Sequence, residues 1–357
     1  MLPDSTTSLA AAGHAAEPVS IEMNPPAEIW DSYVSGHPEA TLFHGTGWQR
    51  VLERTFGYRP HHSLARRGSS VCGVLPLYSV PTLPFGHALV STPFAVYGGV
   101  CADDAIVAQA LLDAAGALAR ASGARYVELR HERPIGTLPA KDLYFTFRRA
   151  IHPEPEVNMA GIPRNQRRSI RIGEKHGLKY RIGGADLLPE FYDVYSKNIR
   201  SLGSPVFPRA LFDALLEEYG SRCRILAVFH GTNMVSAVMT FFYRDQVMPY
   251  YQGATRDGIQ LATNDFMYWS LLCYAAQNGY KVFDFGRSKK GTGPYHFKRH
   301  WGFPPTPLAY QYQLVRQREM PNLSPANPRF SMAIRAWRRL PLRLTQWLGP
   351  KLVRYFP

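Results

Sequence analysis

From about residue 27 onward, apolar and polar positions alternate in an order that runs twice along the chain. Trp48, Val51, Leu52 and Thr55 fall on one face of a helix that Gly57 stops. Strand-like residues His61 to Ala65 follow, then a turn at Arg67-Gly68-Ser69-Ser70 and a returning strand from Val71 to Leu77. The second pass gives a helix from Leu211 to Tyr219, a stop at Gly220, and a strand from Cys223 to Phe229. A turn at His230-Gly231-Thr232-Asn233 and a strand from Met234 to Tyr243 complete the hairpin. The stop glycines lie 163 positions apart (220 − 57), and so do the turn glycines (231 − 68).

The parallel continues. The first half predicts a strand ending Tyr97-Gly98-Gly99, a helix from Ala105 to Ala121, Gly123, and a strand from Arg125 to Arg130. The second half predicts a strand from Met248 to Gly253, a helix from about Leu261 to Gln277, Gly279, and a strand from Lys281 to Gly286. Offsets of 154 (253 − 99) and 156 (279 − 123) fit a few loop deletions. The fold class is therefore α+β, as two copies of one mixed unit. The expected division is a mobile, Ala/Ser/Thr/Pro-rich tail at 1–26, a first domain at 27–155, a second at 156–318, and a basic tail at 319–357.

Charge changes this picture mainly at the C-terminus. Lysines and arginines number 41 against 27 acids, a net +14 that favours anionic partners. No acidic residue follows Glu319, whereas Arg329, Arg335, Arg338, Arg339, Arg343, Lys351 and Arg354 do. Interspersed Phe330, Met332, Ile334, Trp337, Leu340, Leu342, Leu344, Trp347 and Leu348 give short amphipathic helices divided by Pro341 and Pro350. Two roles fit them: an anchor on an anionic membrane surface, or a helix pair packed across the lobes. The four cysteines form no C-x-x-C pair, which excludes a zinc ribbon and argues for reduced thiols. The first 25 residues lack the charge and apolar run of an export signal, and no uncharged apolar run reaches 18 residues. The expected location is the cytoplasm, at the inner face of the membrane.

The order helix, antiparallel strands, strand–helix–strand resembles the GNAT acyltransferase fold. Two such units in tandem resemble the FemAB-like family, which transfers amino acids onto cell-wall precursors. Asp284-Phe285-Gly286-Arg287-Ser288 and Tyr295-His296-Phe297-Lys298-Arg299-His300-Trp301-Gly302 look like the closing strand and Phe-Lys…Trp-Gly signature of that family's second domain. The resemblance runs from about Ala27 to Arg316. More narrowly, the whole chain resembles the FemAB-like proteins that accompany exosortase/PEP-CTERM exopolysaccharide systems.

The segment from Asp284 to Lys298 is also the richest in chemistry. Gly291, Gly293 and Pro294 predict a loop, and Arg287, Lys289, Lys290 and Lys298 within twelve positions suit a phosphate or pyrophosphate. Ser288 and Tyr295 belong to the same substrate-binding stretch. The family resemblance is densest at Lys298, whose ammonium would hold the donor or stabilise the oxyanion formed when an amine attacks an acyl carbonyl. The alternative is an exposed lysine beside a core Phe297. Asp284 is a general base, or a carboxylate that caps a loop or pairs with Arg287. Tyr251 and Gln252 on the preceding strand, and Asn264 near a helix start, would line an acceptor cleft, although alternating tyrosines also serve packing. No Ser-His-Asp, Cys-His or metal-ligand spacing is present.

A GNAT acetyltransferase binds the coenzyme A pyrophosphate on a Q/R-x-x-G-x-G/A loop. The corresponding Gly253 to Ala262 stretch has one interior glycine and no such pattern. This departure fits FemAB-like relatives, whose donor is aminoacyl-tRNA, over acyl-CoA; no tightly bound cofactor is expected. A basic helix from Arg164 to Arg171 would meet RNA or another anion, or face solvent. The expected activity is amide formation on a cell-envelope saccharide or peptide precursor, free or lipid-linked, related to peptidoglycan or exopolysaccharide. Two other readings stand beside it. One is a coenzyme A-dependent N-acetyltransferase acting on an amino sugar. The other is a non-catalytic adaptor of a polysaccharide assembly complex.

Overall fold

The computed structural model describes residues 17–83, 86–321 and 331–357. Most of the predicted tail at 1–26 and Phe330 lie outside these residues. The two passes fold as two units that pack through equivalent helices. Thr46–Phe56 and Arg209–Tyr219 lie against one another. Arg50 bonds Glu218 at 2.5 and 2.9 Å, and Arg54 bonds Glu217 at 2.6 Å. Beneath them Phe43, Trp48, Phe94, Phe191, Phe212, Phe241 and Tyr251 form one aromatic core shared by both units. Edge-to-face contacts such as Phe43–Trp48 at 4.9 Å and Phe212–Tyr251 at 5.2 Å fix its geometry.

The glycine punctuation works as the spacing predicts. Gly57, Gly123 and Gly279 end their helices with φ of 65°, 76° and 78°, and Gly68 and Gly231 turn the two hairpins at 54° and 60°. Each unit holds a pair of parallel strands that meet briefly and then diverge. Leu89 and Val90 pair with Val127 and Glu128; Gln246 and Val247 pair with Val282 and Phe283.

Four expectations need correction. Val19–Met23 is not part of a mobile tail, because it pairs antiparallel with Ser63–Arg67, as its counterpart Lys179–Gly183 pairs with Cys223–His230. The repeat thus begins near residue 19. The strand expected to end at Tyr97-Gly98-Gly99 stops at Val90. Residues 91–100 form a buried loop that wedges the diverging strands apart, with φ positive at Thr92, Phe94 and Gly98. Its carbonyls receive side chains from both units: Trp48 on Pro93, Tyr250 on Phe94 and Tyr310 on Val96.

The third correction concerns the boundary near 155. Tyr144–Ala150 leaves the first unit and pairs with Val282–Asp284 of the second. Ala309–Leu314 crosses the other way, onto Tyr126–His131. Each unit completes its sheet with the strand that follows the other, which a cut at one position cannot describe. The fourth is Pro350, which does not divide the tail but lies inside the helix Leu342–Val353. That helix and Ser331–Arg339 pack on Leu188–Leu202. Arg354 reaches the first unit, its carbonyl accepting from Tyr58 at 2.6 Å. The tail therefore does pack across the body. Ala105–Ser122, long and apolar enough to span a bilayer, buries Val107, Leu111, Leu112, Ala115 and Ala119 over the first sheet instead.

Candidate functional site

The sequence places four cations between 287 and 298, and the structure separates them. Lys298 is not in a loop but on the helix Gly293–His300, which Pro294 starts. Its ammonium is buried and donates to the carbonyls of Phe285 at 2.6 Å, Gly286 at 3.0 Å and Arg287 at 3.2 Å. Burial pushes its pKa down to about 7; Asp284 opposes the shift and Arg287 adds to it. Lys290 is exposed and pairs with Asp142. Arg287 lies against the paired rings of Tyr144 and Tyr310, at 4.7 and 5.3 Å, and donates to the Tyr310 hydroxyl. Burial opposes its charge, but these tyrosines outweigh that and hold it above the ordinary arginine range. Lys289 is pushed down to about 8 by burial, then by Arg287 and Lys141. Arg287 and Lys141 are therefore the cations that Lys289 stands near. Tyr295 packs edge-on against Phe145 and Phe147, and the Ser288 hydroxyl is buried without a partner.

Asp284 is fully buried and already occupied. It accepts from Tyr97 at 2.8 Å, Arg148 at 2.7 Å, Thr146 at 3.3 Å and the Gly286 amide at 2.7 Å. Its partner is Arg148, not Arg287, and a carboxylate with no exposure and both oxygens occupied does not fit the role of a base. Tyr251 is buried in the shared core with its hydroxyl unpartnered. Gln252 and Asn264 do meet, at 2.9 Å, but neither lines the cleft described next.

That cleft lies on the far side of Tyr97 and Asp284, at the junction of the units, and encloses about 290 Å³. Its walls come from residues 38–44, from Tyr97-Gly98-Gly99, from Arg130 to Arg133, and from Arg148 and the 243–248 turn. Two of its arginines are neutralised. Arg130 binds Glu128 through two nitrogens at 3.0 Å, and Arg148 spans Asp284 and Glu132. Arg244 donates only to the carbonyls of Val34, Ser35, His37 and Pro38. It keeps its full charge, and Arg133 is exposed without an ion pair among the described residues. Glu39 lines the same cleft, exposed and likewise without an ion pair among the described residues, so Arg133 and Arg244 offer a ligand two cations beside one carboxylate.

Two buried imidazoles complete the lining. His44 Nδ1 accepts from the Thr41 amide, so Nε2 donates to the Gly99 carbonyl at 3.1 Å. Gln311 fixes the second tautomer. Its Oε1 accepts from the Ile135 amide at 2.8 Å, so His131 Nδ1 is the donor in the 2.9 Å contact and Nε2 carries the lone pair. That Nε2 has no partner. Burial pushes both imidazoles down to about 4, and they are neutral at pH 7. The ring of His131 lies where a side chain at Gly99 would be, 1.9 Å from an added Cβ. Gly99→Ala is accordingly expected to displace His131 and cost about 1–3 kcal/mol, read as a lowered denaturation midpoint with a loss of ligand affinity in the cleft.

The sequence reading missed this cleft because its residues lie at five separated places. The one local signal is Arg130-His131-Glu132-Arg133, four polar groups at the end of a core strand.

Diverging parallel strands joined through a helix, and a cleft between two such units, define the tandem GNAT-like architecture. Residues 163–299 match the acetyltransferase (GNAT) domain family. No curated protein is significantly similar in sequence. The fold is shared with FemX, at TM-score 0.64 and 15% identity over 84% of this chain and 98% of that one. It is also shared with the C-terminal domain (DUF2156) of a putative lysylphosphatidylglycerol synthetase from Agrobacterium fabrum. There the TM-score is 0.55 and the identity 13%, over 87% and 94% of the two chains. A tandem GNAT protein from the clavulanic acid biosynthesis pathway aligns at TM-score 0.51 and 11% identity, over 85% and 100%.

Proposed function

We propose that this protein is an aminoacyl- or acyltransferase that forms an amide on an anionic cell-envelope precursor held in the cleft between the units. The observation that carries the reading is the cleft itself: about 290 Å³ at the junction, with Arg133 and Arg244 in its lining and in no ion pair among the described residues. A precursor bearing carboxylates or a pyrophosphate matches it, whether the precursor belongs to peptidoglycan or to an exopolysaccharide. The FemAB-like resemblance supplies the reaction type.

The donor side favours aminoacyl-tRNA over coenzyme A. In the turn where a GNAT loop would cradle pyrophosphate, the chain forms a short helix, Arg256–Gln260. The Gly258 amide bonds Thr255 Oγ1, Ile259 bonds the Thr255 carbonyl, and Leu261 and Ala262 close on Asp257, Gly258 and Ile259. Those four amides are engaged within the turn and offer no nest to a phosphate.

Two titrations test this reading at physiological salt, where nonspecific attraction to a +14 protein is screened. Coenzyme A should give no saturable heat. A nucleotide-linked amino-sugar peptide should bind with Kd below about 100 μM and weaken roughly tenfold in the Arg133→Ala, Arg244→Ala variant. Saturable coenzyme A binding lost on Arg256→Ala would instead make this an acyl-CoA enzyme. Precursor binding unaffected by the double variant would remove the acceptor from the cleft.

A further inference from the structure

The C-terminal helix pair carries a second surface, and its apolar side faces away from the protein. In Leu342–Val353 the inward positions are Thr345, Gly349 and Val353, spaced four apart. Gly349 sits on the backbone of Val206, where an added Cβ would meet its N and O at 2.8 Å, so this face of the helix packs closely on the protein. The opposite arc holds Leu344, Trp347, Leu348, Lys351 and Leu352, at the i, i+3, i+4, i+7, i+8 spacing of a buried stripe. Yet Trp347 is 60% exposed, and Leu344 and Leu352 are 37% and 38% exposed. Met332 on Ser331–Arg339 is 74% exposed, and Leu202 beside it 57%. A helix that turns threonine and glycine inward and leucine and tryptophan outward is built to be covered on both sides.

Charge selects the cover. Lys351 lies within the stripe, Arg335, Arg339 and Arg343 are exposed on the same two helices, and none of the four makes an ion pair among the described residues. Lys351 lies over the Trp347 ring at 3.8 Å. No acidic residue follows Glu319 to offset them. An indole and leucines accompanied by unpaired cations complement an interface that is apolar within and anionic at its surface. We propose that this face docks on an anionic lipid bilayer and holds the enzyme there as a peripheral protein. The inference rests on the tail alone and does not depend on the proposed transfer reaction.

The test uses the full chain and sedimentation with vesicles of phosphatidylcholine, alone or with about one-third phosphatidylglycerol. Binding is expected to the anionic vesicles only. Arg335→Gln, Arg339→Gln, Arg343→Gln should weaken it roughly a hundredfold, since each cation near such a surface is worth about fivefold. Leu344→Ser, Trp347→Ser, Leu352→Ser should weaken it at least tenfold, by about one apolar side chain's insertion or more. The substituted side chains are exposed, so thermal unfolding of both variants should match the parent. Failure of the parent to sediment with anionic vesicles would overturn the proposal, as would full retention of binding by the serine variant. A concentration-dependent dimer without lipid, lost in the serine variant, would assign the face to a second copy and equally overturn it.

Discussion

Lys298→Met is expected to destabilise the protein by about 2 kcal/mol at pH 8 and to abolish transfer. The lysine is a strut rather than an exposed cation: its three donated bonds end on Phe285, Gly286 and Arg287, the arch that holds Arg287 against its tyrosines. Methionine fills the space but leaves buried carbonyls unmet, each costing about 1–3 kcal/mol before relaxation. Three acceptors call for a full ammonium, while burial opposes its charge and brings the pKa to about 7, below the ordinary 10.5. Between those values the unfolded chain binds a proton that the folded chain lacks, so the lysine's contribution to stability rises with pH. The gap between parent and variant should therefore widen from pH 7 to pH 10 in urea denaturation. A gap that stays constant would mean the ammonium persists in the fold. A variant as stable as the parent would mean the strut carries no load.

The local parts of the architecture were legible in the sequence because local chemistry sets them. Gly57, Gly123 and Gly279 adopt left-handed conformations that other residues resist, and the offsets of 163 (220 − 57) and 156 (279 − 123) expose the repeat. The hairpins at Gly68 and Gly231 follow from the same freedom. Pairing between distant strands leaves no such mark. Nothing in Tyr144–Ala150 says that its edge will meet Val282–Asp284 rather than its own unit, because alternation specifies a face and not a neighbour. The cationic stretch shows the same limit: Arg287 and Lys298 are eleven positions apart, yet one rests on a pair of tyrosines and the other is turned onto backbone. The tail was legible as amphipathic, but composition could not say that Thr345 and Gly349, not Trp347, would face the protein.

Arg148→Met should cost more than any other single change in the cleft, about 3–5 kcal/mol. Arg148 leaves the first unit on the exchanged strand. It bonds Asp284 of the second unit at 2.7 Å and Glu132 of the first at 2.5 and 2.9 Å, and it stacks over Tyr97 at 4.4 Å. Burial weighs against its charge, and the two carboxylates more than compensate, raising its pKa above the ordinary range. Methionine would strand a carboxylate that has no exposure to water, and the remaining donors from Tyr97, Thr146 and Gly286 do not replace a cation. The stranded charge, not the lost attraction, sets the size of the effect. Asp284→Asn in the same chain removes that charge and should recover about 2 kcal/mol, a coupling that a double-mutant cycle in urea measures directly. Additive losses would show that the two side chains act separately. Coupling of the expected size would make the strand exchange an electrostatic latch, with the wall of the cleft and the junction of the units held by the same three residues.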